Sequence, residues 1–567
     1  MENQKKMDKI INLISRVYSD EVDGSYIEKV KQRINACRKN IIETRKKQWN
    51  EADVVLITYA DQFSSPNEKT LVTFKRFYDK YLAGIFPIVH FLPFYPWSSD
   101  DGFSVKDYHQ VEPLYGDWKD IGQIKKSSRL MFDFVCNHIS AQSEWFQGYL
   151  KGRPEYEDFF ISVDPDTDLS AVTRPRALPL LTPFTLANGE VKHIWTTFSA
   201  DQIDLNFANP CVLLAMVDVL LDYLEKGADY IRLDAVGFMW KIPGTSCIHL
   251  EKTHLLVKLF RAITDFVAPG TVIITETNVP HKDNVSYLGN GHDEAHMVYQ
   301  FPLPPLVLHA IRTQSVSTLC RWASILPNKG DGQTTWFNFL ASHDGIGLNP
   351  LRGIISETEI VDLVASLEKE GAKVNWKNNP DGTRSPYELN VTYMDALTPP
   401  LCSDDERLAR FILAHALLLT FPGVPAVYIQ SVLGSRNDYD GVARLGYNRA
   451  INRQKYSLQE TERLLADPQH LRSRTLHSLT QLITVRQHHS AFHPDSEFSI
   501  NEISDGVLEI IRGSSQDEQI TALFNFTDKT KTLSFERNHY YDVISGESIN
   551  SGTIILRPWQ SLWLTNN

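Results

Sequence analysis

Eight short apolar runs, spaced along the chain with helical stretches between them, constrain the fold of this sequence more than any other feature. They lie at residues 54–57, 88–92, 130–135, 230–233, 272–274, 336–340 and 424–429, with one more near 297–299. Each is continuous rather than alternating, the pattern of strands covered on both faces. Intervening stretches such as 213–225 and 254–267 carry helical periodicity, so the repeating unit is βαβ and the sheet is parallel. About eight such units predict an α/β chain folded as a closed (β/α)8 barrel.

The barrel is expected to occupy residues 51–490. Residues 1–50 read as an N-terminal helical extension: Ile10, Ile14 and Val17 share one face, and Ile27, Val30, Ile34 and Ile41 continue it. Two connections are too long for a simple βα loop. One, at about 140–200 after the third run, is rich in Pro and Asp. The other, at about 346–400 after the seventh, holds the turn-prone Asn378-Asn379-Pro380-Asp381-Gly382. Both are expected to be small inserted domains. Short runs at 508–511, 521–524, 541–544, 553–556 and 561–564 predict a C-terminal antiparallel β-domain over 491–567.

A hydrophobic share of 42 % supplies a large core, and a net charge of -12 argues against nucleic acid or an anionic membrane as partner. Cys37, Cys136, Cys211, Cys247, Cys320 and Cys402 are scattered, with no C-x-x-C pair and no zinc spacing. Buried thiols in a reducing compartment are the expectation, and the first residues lack the apolar run of a signal peptide, so the chain is expected to be cytoplasmic. A homo-oligomer is allowed for.

Barrel sites form where strands end. The polar residues directly after the runs are Asn137 and His138, then Arg232 and Asp234, then Glu276, then His343 and Asp344. Taken singly, each is more often a helix cap, an ion pair or a satisfied core residue. Taken in order, they supply what acetal cleavage requires. A carboxylic acid protonates the leaving oxygen, and a second carboxylate meets the positive anomeric carbon. Arg232, two residues before Asp234 in a strand, points to the same face and would keep it ionised; burial would hold Glu276 protonated.

At these residues the sequence resembles a known family. Asp133-Phe134-Val135-Cys136-Asn137-His138, Arg232-Leu233-Asp234-Ala235, Thr275-Glu276-Thr277-Asn278 and Ser342-His343-Asp344-Gly345 look like segments of the α-amylase superfamily of retaining glycosidases. Leu92-Pro93-Phe94-Tyr95-Pro96, Arg174-Pro175-Arg176, His343-Asp344-Gly345-Ile346-Gly347 and Asn448-Arg449-Ala450-Ile451-Asn452-Arg453 narrow the resemblance to its sucrose phosphorylase subfamily. The likeness to the bacterial glucosylglycerate phosphorylases extends through the N-terminal stretch.

The resemblance implies that Asp234 is the nucleophile, Glu276 the general acid/base and Asp344 the transition-state stabiliser. It implies that Asp100, Phe103, His138, Phe198, Gln202, Arg232, His343 and Arg449 surround the glucosyl unit. Arg176 and Tyr387 match phosphate-contacting positions. The implied reaction is reversible phosphorolysis of an α-glucoside, with inorganic phosphate as co-substrate and no metal or cofactor.

The sequence departs from sucrose phosphorylase on the acceptor side. Asn278 stands where that enzyme type carries a histidine, and Arg384-Ser385-Pro386 replaces a loop with an acidic fructose contact. A lost carboxylate and a gained cation suit glycerate, so Arg384, helped by Lys377 or Arg436, is expected to meet the acceptor carboxylate. Sucrose phosphorolysis, hydrolysis or transglycosylation, and a non-catalytic sugar-binding role stand as the other readings.

Overall fold

The computed structural model describes residues 2–41, 49–327, 333–379, 381–535 and 539–566. Pro380 of the expected turn lies outside the described residues, as do positions 1 and 42–48 of the expected N-terminal extension and 536–538 and 567 of the expected β-domain.

All eight apolar runs are strands: β1 Val55–Thr58, β2 Ile88–Phe91, β3 Arg129–Phe134, β4 Tyr230–Leu233, β5 Val272–Thr275, β6 Met297–Tyr299, β7 Thr335–Phe339 and β8 Val424–Tyr428. Each pairs in parallel with its sequence neighbours, and β8 pairs with β1 to close the barrel. Every strand residue except Arg129 is buried, which is why the runs are continuous in apolar character. Register carries the first functional consequence. Asp133 on β3 sits opposite Arg232 on β4, so opposite charges meet inside the barrel by strand pairing alone.

Two insertions build the rim. After β3, the short strand His138–Ser140 pairs antiparallel with Gln202–Asp204, setting His138 opposite Asp204 and Ser140 opposite Gln202. After β7, a hairpin of Lys373–Asn378 and Arg384–Asn390 leans on Ile346–Gly347. That hairpin contains a β-bulge: Asn375 faces Glu388 and Trp376 faces Pro386, leaving Tyr387 without a cross-strand partner. A bulge turns two consecutive side chains towards one side. Tyr387 and Glu388 accordingly both face the barrel mouth.

Helices α1 Glu2–Tyr18 and α2 Gly24–Asn40 pack on the barrel helices Pro210–Glu225 and Glu251–Val267. Ile10, Ile14 and Val17 are buried, and the Tyr18 hydroxyl donates to the Phe207 carbonyl at 2.7 Å. The C-terminal region is an antiparallel six-stranded sheet plus a two-stranded pair. Its strands Phe498–Ser504, Lys531–Ser534 and Glu547–Ile549 are absent from the sequence expectation, because edge strands carrying polar residues lack an apolar run. Among the described residues, no helix is long and apolar enough to cross a membrane.

Candidate active site

Arg232 and Asp234 project to the same side at the end of β4. Arg232 is 2 % exposed, and its Nη1 lies 2.5 Å from Asp133 and 2.6 Å from Asp234. Its Nε donates to the Tyr299 hydroxyl at 3.0 Å, and its Nη2 stands 3.8 Å from Glu276. One guanidinium thus serves three carboxylates. His90 contacts Asp133 at 2.6 Å but adds no charge, since burial lowers its pKa.

Negative charge is therefore in excess within a buried volume. Burial raises both Asp234 and Glu276; Arg232 opposes this, while neighbouring carboxylates add to it. Arg232 touches Asp234 and stands off Glu276, so of the two carboxylates the guanidinium favours charge on Asp234. Ala235, next in sequence, adopts a left-handed conformation (φ 50°) that costs about 1–2 kcal/mol. In that conformation its N–H donates to Glu276 at 3.2 Å.

A second cluster forms after β7 and β8. Arg449 grips Glu388 with two hydrogen bonds of 3.0 and 2.7 Å and contacts Asp344 at 2.6 Å. Burial would raise Asp344, but Arg449, with Arg453 and Arg232 behind it, holds its carboxyl far below the usual range. Glycines permit this packing. A Cβ on Gly345 would meet Glu388 at 2.4 Å, and one on Gly347 would meet Asn278 at 2.7 Å.

The third cluster descends from β2 and the first insertion. His343 stacks on Phe103 with centroids 4.6 Å apart, and His138 Nε2 donates to the Phe103 carbonyl at 3.0 Å. Burial lowers His138 to about 4 and His343 to about 3, so both rings are neutral at pH 7. Gln202 donates to Asp100 at 3.3 Å. Arg176 lies 3.9 Å from Asp100 and 5.6 Å from the centre of the Phe198 ring. Burial would raise Asp100, but Arg176, Arg453 and Arg449 hold it low.

These groups surround one cavity of about 130 Å³. The structure brings Asp234, Glu276 and Asp344 to its wall, with Asp100, Phe103, His138, Phe198, Gln202, His343 and Arg449. Arg232 supports the floor from within the barrel. Arg176, Tyr387 and Asn278 are also on the wall.

Arg384 is not. It is exposed at the outer end of the hairpin, with its Nε 3.4 Å from Asn378. Neither Lys377 nor Arg436 lines the cavity, and Arg436 is paired with Asp395. The expected acceptor contact of Arg384, helped by Lys377 or Arg436, is thus not among the groups that the structure brings to the cavity wall. The hairpin bulge aims Tyr387 and Glu388 inward, while Arg384 lies beyond it at the exposed end.

Sequence reasoning also missed Glu388, Asn349 and Asp133. Asp133 was visible as a lone carboxylate in an apolar run. Asn349 and Asn278 line the cavity with amide oxygens that have no hydrogen-bond partner among the described residues.

The chain is 61 % identical to a glucosylglycerate phosphorylase of Escherichia coli, over 98 % of this chain and 99 % of that one. The chain belongs to the glucosylglycerate phosphorylase family. A second member, from Allomeiothermus silvanus, is 49 % identical over 91 % of both chains. The pattern described as the alpha amylase catalytic domain matches residues 77–347. The crystal structure of sucrose 6F-phosphate phosphorylase from Thermoanaerobacter thermosaccharolyticum superposes with a TM-score of 0.74 at 26 % identity, covering 91 % of this chain and 99 % of that one. The family therefore combines a barrel shared with sucrose-type phosphorylases and a sequence much nearer to enzymes named for glucosylglycerate.

Proposed function

We propose that this chain is a retaining phosphorylase that converts glucosylglycerate and phosphate reversibly into α-glucose 1-phosphate and glycerate. The observation that carries the reading is the facing pair in one cavity. Asp234 touches Arg232 at 2.6 Å, which favours its charged form, and burial raises Glu276, in a chain matching glucosylglycerate phosphorylases over nearly its whole length.

In the first half-reaction the Asp234 carboxylate attacks the anomeric carbon. The bond to the glycerate oxygen breaks, and that oxygen takes the Glu276 proton. In the second, a phosphate oxygen attacks the same carbon, the Asp234 ester bond breaks, and Glu276 accepts the phosphate's proton. Two inversions give retention. Asp344, held ionised by Arg449, faces the positive charge that develops at the ring. Neutral His138 and His343, with Asp100, suit a sugar's hydroxyls. No step draws on a metal or an organic cofactor.

Both acceptors are anions, and they use the cavity in turn. Arg449 is already matched by Glu388 and Asp344, whereas the nearest carboxylate to Arg176 is 3.9 Å away. Arg176 is the cation with charge to spare, and its planar fork suits phosphate and carboxylate alike. Asn278, Asn349 and Tyr387 offer polar groups for the rest of the acceptor. Replacing Arg176 by Gln is expected to slow phosphorolysis and glycerate glucosylation alike, each by about 10²-fold, the worth of a charged hydrogen bond. Arg384→Ala should leave both within about twofold, as for exposed charges. Parallel kinetics in the two directions check this, and a glycerate-specific loss in Arg384→Ala would restore the sequence-based assignment.

The acceptor itself is tested by supplying α-glucose 1-phosphate with glycerate, glycerol or fructose and following phosphate release. Glycerate should lead. Fructose leading would move the reading to sucrose phosphorolysis. A cytoplasmic location is part of the proposal, supported by free thiols at Cys136, Cys211, Cys247, Cys320 and Cys402.

A further inference from the structure

Arg453 is one of the most buried cations of the chain and does not line the catalytic cavity, yet three parts of the rim converge on it. Its side chain is 1 % exposed. Nε donates to the His343 carbonyl at 2.8 Å, and Nη1 lies 2.7 Å from Asp101 and 3.5 Å from Asp100. The preceding residue, Asn452, donates to the Ser342 carbonyl at 2.8 Å. Two successive side chains from the segment after β8 thus hold two successive carbonyls after β7.

What Arg453 holds on its other side is strained. Asp100 and Asp101 are both left-handed (φ 54° and 47°), a conformation that residues other than glycine rarely adopt even once. Gly102 follows with φ 107°, where a Cβ would sit 2.4 Å from the Pro93 carbonyl oxygen. Such a turn persists only when its surroundings over-determine it. The Tyr447 hydroxyl donates to Asp101 at 2.5 Å, and Arg453 supplies the second anchor on the same carboxylate. The turn matters because Asp100 and Phe103, on either side of it, line the cavity. Phe103 in turn stacks on His343, whose backbone Arg453 fixes.

The geometry points to Arg453 as a positioning residue for glucosyl transfer: by clamping the strained Asp100-Asp101-Gly102 turn to the His343 carbonyl, it aims Asp100 and Phe103 at the sugar without touching it. This rests on the proposed glucosyl chemistry but not on the identity of the acceptor. A lysine keeps the charge but cannot span Asp101 and the His343 carbonyl as a planar fork does. An ångström of misplacement at the reacting centre is enough for a large loss of rate.

The test is a cycle of Arg453→Lys, Asp101→Asn and the double variant in the full chain. It is assayed with the α-glucosyl donor that the wild type turns over fastest, with thermal midpoints measured alongside. Arg453→Lys is expected to lower kcat about 10²-fold with KM within about threefold, since only aim is lost. Asp101→Asn should lower kcat in the same sense, and the double variant should be no slower than the slower single one, because both act through one turn. Tyr447→Phe removes only a hydroxyl and keeps the question answerable if Arg453→Lys does not fold. It should lower kcat severalfold without moving KM.

Wild-type kcat in folded Arg453→Lys, or losses that multiply in the double variant, would overturn the inference. So would a rise in KM as large as the fall in kcat. A wild type that releases no glycerate from glucosylglycerate but turns over another α-glucoside would count against the proposed acceptor and leave this test intact.

Discussion

Asp234→Asn is expected to abolish glucosyl transfer in both directions, by about 10⁴-fold or more, the scale seen when a covalent nucleophile is removed. Asparagine has the same shape and can still face Arg232, so the fold and the cavity should survive. What it lacks is the charge that Arg232 stabilises at 2.6 Å and the electron pair that forms the glucosyl ester. Phosphorolysis, glycerate glucosylation and exchange of labelled phosphate into α-glucose 1-phosphate should all vanish together, because all pass through that ester. Exchange surviving at more than about a hundredth of the wild-type rate would remove Asp234 from the role of nucleophile.

Glu276→Gln should divide the substrates by leaving group. Glycerate leaves as an alkoxide unless it is protonated, so loss of the acid is expected to slow glucosylglycerate cleavage by about 10³-fold. α-Glucosyl fluoride needs little protonation, and formation of the glucosyl-enzyme from it should fall less than about tenfold. Single-turnover measurements with both donors separate these effects. Equal losses would mean that Glu276 acts by charge or by position rather than as an acid. The structure gives the reason to expect an acid: burial raises Glu276, and Arg232 stays 3.8 Å away while contacting Asp234 directly.

The barrel was legible because strands buried on both faces leave a mark that survives without context. Continuous apolar runs at eight places became β1 to β8, and the carboxylates and histidines just beyond them fall on one rim because strand ends do. The ion pair of Asp133 and Arg232 needed register, which sequence does not carry. The placement of the acceptor-side hairpin residues was hidden for a related reason. One bulge in the hairpin after β7 decides that Tyr387 and Glu388 face the cavity, while Arg384 ends in solvent. Counting residues along a strand cannot find a bulge. Arg453 stood in a recognisable segment, but its work is done through backbone carbonyls and a strained turn, neither of which a residue type announces. In the C-terminal sheet, the edge strand Phe498–Ser504 alternates with polar residues and left no run to read.

The central claim is that one aspartate captures the glucosyl unit and phosphate releases it, and the configuration of the product reads this directly. Proton NMR of the first minutes of glucosylglycerate phosphorolysis should show only the α anomer of glucose 1-phosphate, an ester that cannot interconvert in solution. The β anomer as first product would mean a single displacement by phosphate, and would contradict a covalent role for Asp234.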